Sequence, residues 1–189
     1  MRVIVGLGNP GVEYAATRHN VGQRVVAHAA AEWSIPLHRH GLSQRGTGRI
    51  HGQPVSLVLP VTFMNVSGEA VEELMSAHDV HAQDVIVVHD DLDLPIGRLR
   101  IRPEGGTGGH RGLESIVMAL GTEAFTRLKI GIGRPAPEVD PADFVLAPMT
   151  SEELNALRPV LTRAVEGLAC LVQHGVPEAM NRFNRRMPA

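Results

Sequence analysis

Residues 6–11 read Gly6-Leu7-Gly8-Asn9-Pro10-Gly11 and follow directly on the apolar run Val3-Ile4-Val5. As bare spacing this is G-x-G-x-x-G, the turn that sets a pyrophosphate on a helix N-terminus in dinucleotide-binding folds. That use needs a helix opening at the third glycine and an acidic residue about 20 positions on, at a strand end. Glu32 has the spacing, but Val21, Val25, Val26, Ala29, Ala30 and Trp33 recur at helical intervals around it, so it belongs to a helix. Pro10 withholds one amide from any phosphate. The stretch Tyr14-Ala15-Ala16-Thr17-Arg18-His19 also separates the glycines from that helix. The segment therefore reads as a sharp turn after a first strand, presenting Asn9.

The other elements alternate around this start. Arg2–Gly6 is the first strand and Asn20–Trp33 an amphipathic helix. Gly48–His51, a Gly52-Gln53 turn and Val55–Leu59 read as a hairpin. A helix is expected over Gly68–His78 with Ser67 as its N-cap. Asp84–Val88 is a nearly continuous apolar strand, the kind buried on both faces of a parallel sheet. Two further strands, Arg98–Arg102 and Arg127–Ile132, flank a helix over Leu113–Leu120. Gly133–Pro141, with three prolines, reads as a loop, Ser151–His174 as a long helix and Pro177–Asn184 as a short final one. These elements predict an α/β fold: a single domain over residues 1–189, built on a twisted, mostly parallel mixed sheet with helices on both faces.

With 189 residues, 43% hydrophobic and 20% charged, the composition is that of an ordinary globular protein. No apolar run approaches the roughly 20 residues of a membrane span, and the start is too short for a signal-peptide core. Cys170 is the single cysteine, which leaves no intrachain disulfide and no zinc cluster. These facts favour the cytoplasm. The net charge is −2, yet residues 98–134 hold seven basic against three acidic side chains. Arg98, Arg100 and Arg102 alternate with apolar residues, as do Arg127 and Lys129, so each set shares a strand face. Such faces are either simply solvated or a surface that tracks a nucleic-acid backbone.

Four polar groups stand where apolar elements end: Asn9; His19-Asn20; Thr62-Phe63-Met64-Asn65; and His89-Asp90-Asp91-Leu92-Asp93. Ligands of open α/β sheets sit outside the carboxyl ends of the strands, where three of these fall. Histidine is the usual general base. Of ten histidines, His19 stands out, in a polar loop that meets a helix start. A base needs a partner to fix its tautomer, and Asp90 is the best candidate; ordinary capping by each residue is the alternative. Asp90, Asp91 and Asp93 lack EF-hand spacing, and Asp93 before Leu94-Pro95 suits a turn better than a metal. There is no G-x-S-x-G elbow, and Cys170 falls at a helix core position, so direct attack by water is favoured over an acyl-enzyme. Gly105–Gly112, with five glycines in eight positions, leads into a helix whose free amides suit an anion; a mobile surface lid is the alternative.

In this order and spacing the motifs resemble the bacterial peptidyl-tRNA hydrolase family. The resemblance runs through Gly6–Gly11, Glu13-Tyr14, Thr17–Asn20, Phe63-Met64-Asn65-x-Ser67-Gly68, His89–Pro95, Gly108-Gly109-His110-x-Gly112-Leu113 and Arg127–Gly133. It implies cleavage of the ester between a peptide and the 3′ ribose of tRNA. It implies His19 as the base for water, with Asp90 orienting it. Asn9 and Asn65 would bind the peptide and the tRNA end, and Asn9 would help reject aminoacyl-tRNA with a free amine. Tyr14, Phe63 and Met64 would line the cleft, with His110 and Arg111 at the substrate. Arg102 and Lys129 would meet the phosphate backbone. No metal or other cofactor, no membrane and no obligate protein partner is implied, and the chain is expected to be a monomer. One residue departs: Arg111 stands where the family usually has asparagine. A non-catalytic RNA-binding protein of the same fold is the alternative function.

Overall fold

A computed structural model describes residues 1–185. In β1 (Arg2–Gly6), Val3, Ile4 and Val5 have no exposed surface. A strand apolar at successive positions needs both faces covered, which places it inside an α/β sheet. It lies between β4 (Gln53–Pro60) and β5 (Val85–Asp91), parallel to both, and β7 (Thr126–Gly131) extends the parallel set beyond β5. Antiparallel strands form the margins: β3 (Ser43–Ile50) and β2 (His38–His40) beyond β4, and β6 (Leu99–Arg102) beyond β7. The order is β2-β3-β4-β1-β5-β7-β6. α1 (Val21–Glu32) and α5 (Ser151–Phe183) cover the face of Ile4 and Val88. α2 (Ser67–Ala77) and α3 (Arg111–Leu120) cover the face of Val5 and Val87. The predicted mixed sheet with helices on both faces is present, its parallel pairs confined to the four central strands. Among the described residues no helix is long and apolar enough to cross a membrane.

Several local expectations are corrected. Ile50 pairs with Gln53, so the hairpin turns at His51-Gly52, one residue earlier than read. Ser67 is inside α2 rather than capping it; its hydroxyl is buried with no hydrogen-bond partner among the described residues, and Val66 occupies the cap position. β2 forms in a stretch to which the sequence pattern assigned no element, and α4 (Pro141–Leu146) starts at the end of the proline loop, capped by Asp140. The long and short C-terminal helices abut within α5, broken at Gly175, where φ is 80° and only glycine is unstrained.

Gly22 decides how closely α1 approaches the sheet. A Cβ there would meet the Val88 carbonyl oxygen at 2.2 Å and the Leu7 backbone at 2.8 Å. Both are main chain, which cannot swing aside. Gly22→Ala is expected to destabilise the fold by about 3 kcal/mol, the upper part of the overpacking range. A urea titration checks it, with a lower midpoint at unchanged slope.

Candidate functional site

The central strands run in parallel, so the loops after β1, β4 and β5 meet at one edge of the sheet. Gly6 pairs with Val88, which sets Asp90 two residues past the end of β1. Asp90 was expected just beyond its strand; it is instead within β5, paired with Ile130 of β7. A residue held by a central strand is placed more rigidly than one on a loop.

His19 reaches this point from a 3-10 turn, Arg18–Asn20, whose neighbour Arg18 acts as an anchor. The Arg18 guanidinium binds both Glu153 carboxylate oxygens, at 2.9 and 2.6 Å, and donates to the carbonyls of Phe144 and Ala147. It also stacks 4.1 Å over the Phe144 ring. Burial opposes the Glu153 charge, but the Thr150 amide and Arg18 hold this carboxyl below its ordinary value. The sequence reading passed over Arg18, because its partners lie 126 to 135 residues away.

His19 Nδ1 lies 3.0 and 2.9 Å from the two Asp90 carboxylate oxygens. His110 Nε2 lies 2.9 Å from the same carboxylate. The tautomers follow from the remaining contacts. His110 Nδ1 accepts the amide N–H groups of Gly112 and Leu113, at 3.2 and 3.3 Å, so it carries no proton. Nε2–H of His110 therefore donates to Asp90. His19 donates to Asp90 through Nδ1–H, which leaves its Nε2 lone pair free. The His19 side chain keeps 11% exposure while that of Asp90 keeps 2%, so the histidine is the group that solvent can reach. Burial opposes the charge on Asp90, but His110 and His19 hold its carboxyl well below the usual carboxylate range.

His19, Asp90 and His110 offer ligand atoms within 4.8 Å of one another. The donor set nevertheless does not suit a metal. With Nδ1 of His110 held as an acceptor by two amides, coordination through Nε2 would need an imidazolate. The trio is built for hydrogen bonds. The same two bonds correct the expectation of an anion at the start of α3, whose first amides are already taken by the His110 ring. Behind the trio, buried His89 donates Nδ1–H to the Asp90 carbonyl at 2.6 Å. Burial foremost, with His110 beside it, pushes its pKa down to about 3, so it is neutral at pH 7.

Asn9 and Asn20 form a second rigid unit. The Asn9 amide donates to Asn20 Oδ1 at 2.8 Å, and Asn20 Nδ2 donates to the Asn9 carbonyl at 2.9 Å. Asn9 Oδ1 accepts the Met64 amide at 2.8 Å, which ties the loop after β4 to the loop after β1. The Asn9 carboxamide thus keeps its Nδ2–H groups uncommitted. It borders an open cleft of about 360 Å3 shared with Asn20, Gln23, Arg39 and Gln44.

The other expected site residues are distributed unevenly. Tyr14 and Phe63 meet edge to face at 6.5 Å, with Phe63 56% exposed, and form an aromatic rim. Met64 does not line a cleft: its side chain is in the core against α3, and its sulfur would meet a Cβ on Gly112 at 2.5 Å. Asn65 and Arg111 are exposed, Arg111 as the first residue of α3. Arg102 is half-buried on β6. Lys129 is paired with Asp91 at 2.9 Å. Arg127 does not present its charge on the expected basic face: it is fully buried over the Phe125 ring and donates to the Glu123 and Phe125 carbonyls. Asp91, not Asp93, closes the turn after β5 by accepting the Asp93 amide, while Asp93 pairs with Arg134. Ser67 and Cys170 are buried, and burial pushes the Cys170 thiol up, so neither suits a nucleophile.

Chemically, the edge of the sheet offers a histidine with a free lone pair, a carboxylate that orients it, and an adjacent carboxamide donor above an open cleft. Such a set activates water toward a carbonyl. Comparison with known proteins agrees. A family model described as peptidyl-tRNA hydrolase matches residues 3–189. A peptidyl-tRNA hydrolase of Syntrophotalea carbinolica is 45% identical over 188 residues, covering 99% of this chain and 98% of its own. One of Bacillus subtilis is 43% identical over 188 residues, covering 99% and 100%. The crystal structure of the Acinetobacter baumannii peptidyl-tRNA hydrolase has a TM-score of 0.94 at 38% identity, covering 100% of this chain and 97% of that one.

Proposed function

Since the chain belongs to the peptidyl-tRNA hydrolase family, we propose that it cleaves the ester between a peptide, or an N-blocked amino acid, and the 3′ ribose of tRNA. The observation that carries the mechanism is the His19–Asp90–His110 chain, with its tautomers set. Nε2 of His19 takes a proton from water as the water oxygen bonds to the ester carbonyl carbon. Asp90 stabilises the imidazolium that results. The tetrahedral intermediate then expels the 3′ oxygen, which takes the proton back from His19, and peptide and tRNA separate. Asn9 Nδ2 donates to the peptide beside the ester, and the cleft next to it holds the peptide chain. Asn65, Tyr14 and Phe63 contact the substrate at the rim, and Arg102 and Lys129 meet tRNA phosphates. His110 serves through Asp90 and the cap of α3. The protein acts in the cytoplasm as a monomer, with no metal. The complete trio argues against a purely RNA-binding role.

The test is hydrolysis of N-acetylaminoacyl-tRNA beside the same tRNA carrying a free amine. Release from the blocked substrate alone is expected; release from neither would overturn the reading. Arg111, exposed at the start of α3, is expected to be tolerated. Arg111→Asn should change kcat/KM by no more than about tenfold, equivalent to about 1.4 kcal/mol. A gain of about a thousandfold, or roughly 4 kcal/mol, would instead mean that the arginine blocks the native site.

A further inference from the structure

The side chains of Arg98, Arg163 and Arg185 line an open cleft of about 220 Å3 where the β6 edge meets the end of α5. Two of them are held by main-chain carbonyls and not by acids. Arg98 Nη2 donates to Asn184 O at 3.2 Å, and Arg163 Nη2 donates to Arg182 O at 3.3 Å. Arg163 also sits 5.1 Å over the Phe183 ring. Carbonyls orient a guanidinium without neutralising it, and each group keeps N–H donors to spare. Five arginines of the fold, Arg2, Arg18, Arg45, Arg134 and Arg182, have a carboxylate partner. Among the described residues, the three cleft arginines have none within 4.0 Å. Like charges gathered without counter-charge repel one another and await an anion.

The cleft is at the working edge of the sheet. Asp90 pairs with Ile130, and Ile130 with Leu99, so Arg98 follows at the same edge, two strands away. Two strand spacings are about 10 Å. Arg100 and Arg102 continue from Arg98 along β6, at alternate positions and with no acid partner among the described residues. A guanidinium row of this kind suits successive phosphates of one strand, since arginine binds phosphate in a bidentate manner.

We propose that the Arg98–Arg163–Arg185 cleft binds a backbone phosphate of duplex RNA, extending the contact of the acceptor arm beyond the reacting end. This rests on the peptidyl-tRNA reading above. The test uses Arg98→Gln/Arg163→Gln and, as a surface variant that spares the core, Arg185→Glu. Binding is read by fluorescence anisotropy with a labelled RNA hairpin carrying a single-stranded ACCA 3′ end. Activity is read with N-acetylaminoacyl-tRNA and with N-acetylaminoacyl-adenosine, which has no phosphate. For the double variant, Kd for the hairpin and KM for the tRNA should rise about tenfold, and the salt slope of log K should shrink by about 2. Arg185→Glu should weaken hairpin binding in the same sense. Hydrolysis of the adenosine ester should not change. Unchanged Kd and salt slope in both variants overturn the proposal, as does an equal loss with both esters. If wild type binds the hairpin through these arginines yet cleaves neither ester, the cleft stands and the hydrolase reading falls.

Discussion

Replacing His19 with alanine is expected to lower kcat for N-acetylaminoacyl-tRNA by about 10²–10⁴-fold, the usual worth of a positioned general base. KM should move little, because the cleft beside Asn9 and the basic strand β6 are untouched. The fold should survive. His19 has partial access to solvent, and its anchor Arg18 keeps the turn in place through Glu153. Asp90 loses one of two N–H partners but keeps His110. The measurement is kcat and KM for both proteins, with the denaturation midpoint as a control. Equal rates for variant and wild type would sink His19 as the base.

Asp90→Asn carries the second large effect, through proton placement. Asp90 accepts from two N–H groups, on His19 and His110. A carboxamide has one oxygen and one NH2, so it can accept from only one side. His110 cannot change tautomer, since its Nδ1 caps α3. The NH2 must then face His19, whose Nδ1 becomes the acceptor and whose Nε2 takes the proton. The lone pair that should activate water is gone, although every atom remains nearly in place. A fall in kcat of about 10²–10⁴-fold is expected, as for other bases held in the wrong tautomer. Asp90→Ala should not be rescued by acetate, because the residue is only 3% exposed.

The same variant carries a pH signature. The Asp90 carboxyl titrates lower in the folded chain than in the unfolded one, where about 3.9 is usual. A depressed carboxyl contributes stability that is complete above the unfolded value and is lost as pH falls toward the folded value. Loss of a well-paired buried charge costs about 1–3 kcal/mol at pH 7. That gap between wild type and Asp90→Asn should hold down to about pH 5 and narrow below about pH 4. Urea titrations at pH 7 and in mild acid check this; a gap that widens in acid would contradict the charged, doubly bonded Asp90.

Much of the fold was legible from local pattern. Val3–Val5 read as the first strand, and Val85–Val88 as a strand buried on both faces, because a continuous apolar run must be covered on both sides. Val21 to Ala30 read as a helix from its period, and Gly6–Gly11 as a turn from its glycines. His19, Asp90 and Asn9 were findable because polar residues at strand ends have few reasons to be there. What period alone cannot supply is how far along one strand face the cover extends. Arg127 and Lys129 alternate identically, yet one is sealed over Phe125 and the other reaches Asp91 near solvent. Met64 and Ser67 misled for the same reason, since α3 and α2 bury what sequence leaves exposed.

The amino-acid sequence by itself determined the strand and helix pattern, the sharp turn that presents Asn9, and a short set of candidate side chains for activating water. Those follow from backbone propensity, hydrophobic period and side-chain chemistry, all of them local. Only the tertiary structure decided that His110 joins Asp90, that Arg18 anchors His19 from Glu153, that Asn20 locks the backbone of Asn9, and that Asn9 itself takes the Met64 amide. Those contacts join residues 11 to 135 positions apart, and a hydrogen bond across such a span is set by sheet register and helix docking, which no neighbouring residue records.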